Sequence, residues 1–136
     1  MVRPIVRDEA LLRVPSREAG VFDIPTADDL MDTLKANAAF CVGMAANMIG
    51  VSAAIIAFRN GSAYEEMFNP RIVACQEPYD AMEGCLSLPG ERPAKRFRRI
   101  TVEWQTRAFE RKRAVFTGFP AQIIQHEIDH IHGILI

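Results

Sequence analysis

The stretch QHEIDHIHG, residues 125–133, contains every histidine of a 136-residue chain. It carries the pattern HExxH. On an α-helix, residues four apart lie one turn above each other, separated by only about 40° around the axis. His126 and His130 can then point one imidazole each at a single ion. Glu127 falls to the side of the pair, where its carboxylate can reach a water without becoming a ligand, the position of a general base. Ordinary helix residues are the competing reading, because three fixed positions in five also arise by chance. His132 is off the face and reads as a surface residue. Two imidazoles leave a tetrahedral site unfinished, so a third ligand has to come from elsewhere.

Working outward, the histidine helix is expected over 119–131. Pro120 is acceptable in its first turn and Gly133 suits its C-terminal cap. Phe119, Gln122 and Ile123 precede His126 on this helix and are candidates to line a pocket beside it. Before the helix, Arg113–Thr117 reads as a short strand. Residues 99–106 alternate with Ile100, Val102 and Trp104 on one face, a half-exposed strand. Residues 67–75 read as a strand interrupted at Asn69-Pro70, and SAAIIAF, 52–58, as a buried strand. Residues 78–90 contain Pro, Gly and the apolar run CLSL and read as irregular with a short strand. CVGMAANMIG, 41–50, is too punctuated by glycine for a helix.

A helix is expected after Pro25, capped by Thr26 and running to about Phe40, with Leu30, Met31, Leu34 and Ala38 as its apolar stripe. A shorter helical piece is expected around Asp8–Arg13. Strands in the middle and helices at the ends give an α+β class, antiparallel strands packed around the C-terminal metal-binding helix, in one domain over 1–136.

The missing ligand is sought among three cysteines. Cys85, in EGCLSLPG at 83–90, follows a glycine in an irregular apolar segment that can aim its thiol inward. A thiolate with two imidazoles makes a three-ligand catalytic site. A free cysteine is also a common small buried residue, and Cys41 and Cys75 read that way.

The balance of 16 basic and 17 acidic residues, 16 − 17 = −1, gives no reason to expect nucleic acid or an anionic membrane as partner. The basic run KRFRR, 95–99, reads as a solvated strand edge. No run is long and apolar enough for a membrane span, no secretory signal is evident at the N-terminus, and the odd cysteine count points to a reducing compartment, hence the cytoplasm.

Taken together, EGCLS, QHEIDHIHG and GMAANMIG resemble the three signature motifs of the peptide deformylases, in the family's order and spanning residues 43–133. The resemblance implies one divalent metal per chain held by Cys85, His126 and His130, natively iron(II), with zinc, nickel or cobalt as common occupants. It implies removal of the formyl group from N-formylmethionyl peptides with release of formate. The substrate is then a peptide or nascent chain, met close to the ribosome in a cytoplasm of bacterial type. Glu127 would take a proton from the attacking water and pass it to the leaving amine. The Leu86 backbone N–H would be a donor to the developing oxyanion. Val42 and Gly43 would lie along the substrate backbone, which pairs as an added strand. Phe119, Gln122 and Ile123 would line the methionine pocket, and Arg96 would stand beside the site.

One departure is chemically legible. The family's first motif ends in a glutamine whose amide serves the oxyanion, and the matching residue here is Met48, which has no N–H to donate. The first glycine of that motif is Cys41. Two alternative readings therefore stay open. One is a protein of this fold that binds metal and peptide with weak or no deformylase activity. The other is a hydrolase for another small N-acyl group.

Overall fold

Five strands, β1 (Gly43–Ala45), β2 (Ile55–Asn60), β3 (Ala63–Cys85), β4 (Leu88–Gln105) and β5 (Arg111–Thr117), form one antiparallel sheet whose spatial order follows the chain. This is seen in a computed structural model that describes residues 1–136. Three α-helices accompany the sheet: α1 (Glu9–Leu12), α2 (Ile24–Ala36) and α3 (Gly118–Ile131). The expected α+β arrangement around a C-terminal helix is the one observed.

β2 shows why an unbroken apolar run makes a strand here. Ile55 and Ala57 face a core shared with Leu30 and Leu34 of α2, while Ile56 and Phe58 face a second core with Ile124 and Ile128 of α3. Helices cover the sheet on both faces at this strand, so neither face needs polar residues. Alternation survives on β4, where Ile100 and Val102 are buried and Trp104 is half-buried.

Several expectations need correction. α2 starts at Ile24, earlier than Thr26, with Asp23 before it and Pro25 inside its first turn. A proline there loses no bond, because first-turn N–H groups lack intrahelical partners anyway. The helix ends at Ala36, where Asn37 returns its side-chain amide to the Thr33 carbonyl at 2.8 Å. Residues 78–90 are not irregular: β3 and β4 form a long hairpin closed by the two residues Leu86 and Ser87, with Cys85 opposite Leu88. Beyond Phe68, β3 has lost β2 as a neighbour, and β4 meets β5 only from Arg99 onward. The outer hairpin is thus a two-stranded ribbon with free edges, which is why Pro78, Pro89 and Pro93 are tolerated in it. Asn69-Pro70 is a bulge and not a break. Asn69 adopts φ 51°, and its amide bridges Ala19 and the Gln105 side chain.

KRFRR does not lie wholly in solvent. Arg96 is buried within it, while Arg98 and Arg99 are exposed. Cys75 is exposed on the ribbon and not buried.

Candidate metal centre and cavity

α3 carries His126, Glu127 and His130 on the side turned toward β1 and the hairpin tip, and all three are buried. Gln125 fixes this helix in register. Its amide bonds both the N–H and the carbonyl of Phe97 at 2.8 Å, on a stretch of β4 that lacks a strand partner on that edge. Asn47 fixes the far end, donating to the His130 carbonyl at 2.9 Å.

The two imidazoles turn their Nε2 atoms toward each other at 3.1 Å. Cys85 Sγ belongs to the same group, whose ligand atoms all lie within 4.8 Å of one another. Two nitrogens bound tetrahedrally at about 2.0–2.1 Å would stand about 3.3 Å apart, so this spacing fits a shared ion. A soft thiolate with two imidazoles is a donor set for zinc, iron or a later first-row ion. Burial and the neighbouring His126 push His130 down to about 3, which leaves its lone pair free to ligate.

Glu83, given no role by the sequence reading, holds His126. Its Oε1 lies 2.8 Å from His126 Nδ1. Arg96 grips the same carboxylate through Nε and Nη2 and reaches Asp129 at 2.7 Å, and Gln122 donates to Glu83 Oε2 at 2.9 Å. Burial alone would raise the Glu83 carboxyl, but these donors hold it at about 2. A carboxylate behind a ligating imidazole orients the ring and raises its basicity. The signal was an acidic residue two positions before Cys85 in an otherwise apolar stretch. Arg96 therefore stands behind His126 and outside the cavity wall.

Glu127 has the opposite environment. Burial pushes its carboxyl up to about 7, against the pull of His126. Its Oε1 is buried with no partner in the protein. Such an atom costs stability unless something else meets it.

In front of these groups opens a cavity of about 470 Å³. Its wall includes Val42, Gly43, Met48, Leu86, Phe119, Gln122 and Ile123, all expected there, together with Cys85, His126 and Glu127. Phe40, Cys41 and Met82 also line it and were not anticipated. Cys41 is half-buried, its thiol donates to the Gly43 carbonyl, and burial pushes it up to about 12. Gly43 is obligatory: a Cβ there would stand 2.6 Å from Ile123 Cγ2 and 2.8 Å from Glu127 Oε2.

A model of the family described as polypeptide deformylase matches residues 2–136. The chain belongs to that family. A peptide deformylase from Clostridium beijerinckii is 49% identical over the full length of both chains. Among solved structures, a class I type b peptide deformylase from Acinetobacter baumannii with Met-Ala-Ser bound is 28% identical, with a TM-score of 0.89 over 99% of this chain and 97% of that one. The peptide deformylase of Thermotoga maritima is 30% identical, with a TM-score of 0.88 over 99% and 94%. Met48 stands in the cavity wall with a thioether that has no N–H to donate, Asn47 is turned to His130, and the Gln122 nitrogen gives one of its two N–H groups to Glu83.

Proposed function

We propose that the protein hydrolyses the N-formyl group of N-formylmethionyl peptides. Cys85, His126 and His130 hold a divalent ion, and Glu127 acts as the general base. The observation that carries this reading is the pair of imidazole nitrogens 3.1 Å apart, beside a cysteine sulfur and a carboxylate with an unpartnered buried oxygen. When bound, the ion supplies Lewis acidity, polarising the carbonyl and activating a water.

The rest falls to the chain. The substrate backbone lies along β1, whose outer edge has no strand partner, and Gly43 lets that strand pack closely against Ile123 and Glu127 of α3. Phe119, Gln122 and Ile123 take the methionine side chain. Glu127 accepts a proton from the attacking water and returns it to the amine as the formyl C–N bond breaks and formate leaves. Glu127 is buried and its Oε1 has no partner in the protein, which leaves that oxygen free for both tasks. The Leu86 N–H donates to the oxygen that becomes negative.

Iron(II) is the resident ion of this reading, with zinc, nickel or cobalt able to use the same donors. The substrate's formylated end belongs to a new chain, which places the enzyme near the ribosome in a bacterial cytoplasm. In agreement, no helix is long and apolar enough to cross a membrane and the three cysteines are free.

Formate release from formyl-Met-Ala, measured with the iron protected from oxygen, tests the reading. Glu127→Gln should keep about one metal per chain and lose most turnover. Cleavage of acetyl-Met-Ala without cleavage of the formyl peptide would transfer the site to another N-acyl substrate.

A further inference from the structure

One peptide plane at the hairpin tip is held from both sides. Its carbonyl, on Leu86, accepts from Arg7 Nη1 at 2.6 Å. Its N–H, on Ser87, donates to Cys85 Sγ at 3.4 Å. We infer that Arg7 is a positioning residue for the sulfur ligand, acting through the single peptide that joins Leu86 to Ser87. The inference rests on the reading of Cys85 as a metal ligand.

The physical path is short. Amide resonance links the carbonyl oxygen to the nitrogen, so a cation on the oxygen draws charge along the C–N bond. The N–H becomes a stronger donor, as members of a hydrogen-bond chain polarise one another. A stronger N–H bond to the thiolate drains charge from the sulfur. The sulfur then gives less to the ion, which is left a stronger Lewis acid. Arg7 is exposed, so solvent screens part of its charge, and its influence reaches the peptide through the direct bond to the Leu86 oxygen.

The segment that presents Arg7 is itself tied down. Val6 N–H donates to the Met48 carbonyl at 2.8 Å, and Arg3 N–H to Thr33 Oγ1 at 2.9 Å. Two adjacent residues, Val6 and Arg7, therefore bridge the wall that carries Met48 and the turn that carries Cys85.

The test uses the full chain loaded with cobalt(II), whose thiolate-to-metal charge-transfer band reports the charge on the sulfur without reference to turnover. Arg7→Ala and Arg7→Met should move that band to longer wavelength, since a thiolate with a weaker hydrogen bond is easier to oxidise. Arg7→Lys should restore most of the shift. Cobalt stoichiometry and melting temperature should stay at wild-type values. On formyl-Met-Ala, kcat should fall by up to about tenfold with KM nearly unchanged. A band unmoved by both charge-removing variants, or moved as far by Arg7→Lys, overturns the inference. So does loss of cobalt in Arg7→Ala, which would make the arginine a mere clamp on the turn. If the wild-type protein shows no charge-transfer band, the sulfur ligand itself is wrong and the inference falls with it.

Discussion

At Met48 the cavity wall presents a thioether, which has no N–H to offer the oxyanion of the proposed reaction. The thioether is 1% exposed and packs into the core that contains Leu30 and Leu34 while also facing the cavity. Loss of one oxyanion donor costs about 10²–10³ in kcat in a well-studied hydrolase. The ion shares the load here, so Met48→Gln should raise kcat on formyl-Met peptides by about tenfold and leave KM nearly alone. Steady-state kinetics on metal-matched proteins checks this. An unchanged kcat would mean that the oxyanion is already satisfied. Asn47 is a poor substitute, because its amide nitrogen is turned to the Leu12 and His130 carbonyls, whereas the Gln122 nitrogen spends one of its two N–H groups on Glu83. The same residue scale shows what sequence could reveal about the site. His126, Glu127 and His130 were legible because helical geometry forces them together, and Cys85 because a free thiol beside a glycine invites a ligand role. Glu83 was not, and Arg96 was placed beside the site by resemblance alone, without its role behind His126. Their meeting depends on the pairing of β3 with β4, and nothing in local spacing announces which ribbon residues turn inward.

At the scale of elements, the turn that leads into α2 is tied by a carboxylate. Asp23 precedes the helix, is bound by both terminal nitrogens of Arg17 at 2.7 and 2.8 Å, and accepts from the Gly20 N–H. The Arg17 bonds outweigh burial and hold Asp23 at about 2, against an ordinary value of 3.8. A depressed folded-state pKa stabilises the fold above the unfolded value and ceases to do so as pH falls through the folded one. The contribution is therefore full above about pH 4 and fades between pH 4 and 2. It should amount to on the order of 1–2 kcal/mol after allowance for the exposed arginine. Melting temperatures of wild type and Asp23→Asn should differ at pH 6 and converge toward pH 2. Parallel curves would show that the ion pair does not act through this titration. Elements with a strong period, such as α3 and the double-faced β2, were readable from sequence. The ribbon was not, because a hairpin open to solvent on much of its surface has no reason to alternate.

Across the whole molecule, the candidate ligands join distant parts of the chain. Cys85 lies at the tip of the ribbon, and His126 and His130 on the last helix. An ion that binds only when these parts have assembled stabilises the folded state by mass action, about 2.7 kcal/mol at a free concentration of 100 times Kd. Removing metal with a chelator should lower the melting temperature of the wild-type protein by several degrees, and readdition should restore it. Cys85→Ser should melt near the metal-free value and ignore the chelator. Calorimetry with and without chelator on both proteins decides the point. A wild-type protein indifferent to chelation would exclude the three-residue ligand set.

The sheet has two outer strands, and they are finished differently. β5 presents Arg111, Lys112 and Arg113 to solvent, charges that discourage another chain from adding on. β1 has no charge and no proline; it is three residues long and buried. So short an edge is a poor seed for self-association, yet on the proposed reading it suffices to grip a chain's first residues while they are extended. An N-terminus already coiled into a helix, or paired in its own sheet, offers nothing to lie along Gly43–Ala45. The work of this protein then has a deadline: it must reach each new chain before that chain's own folding hides the group to be removed.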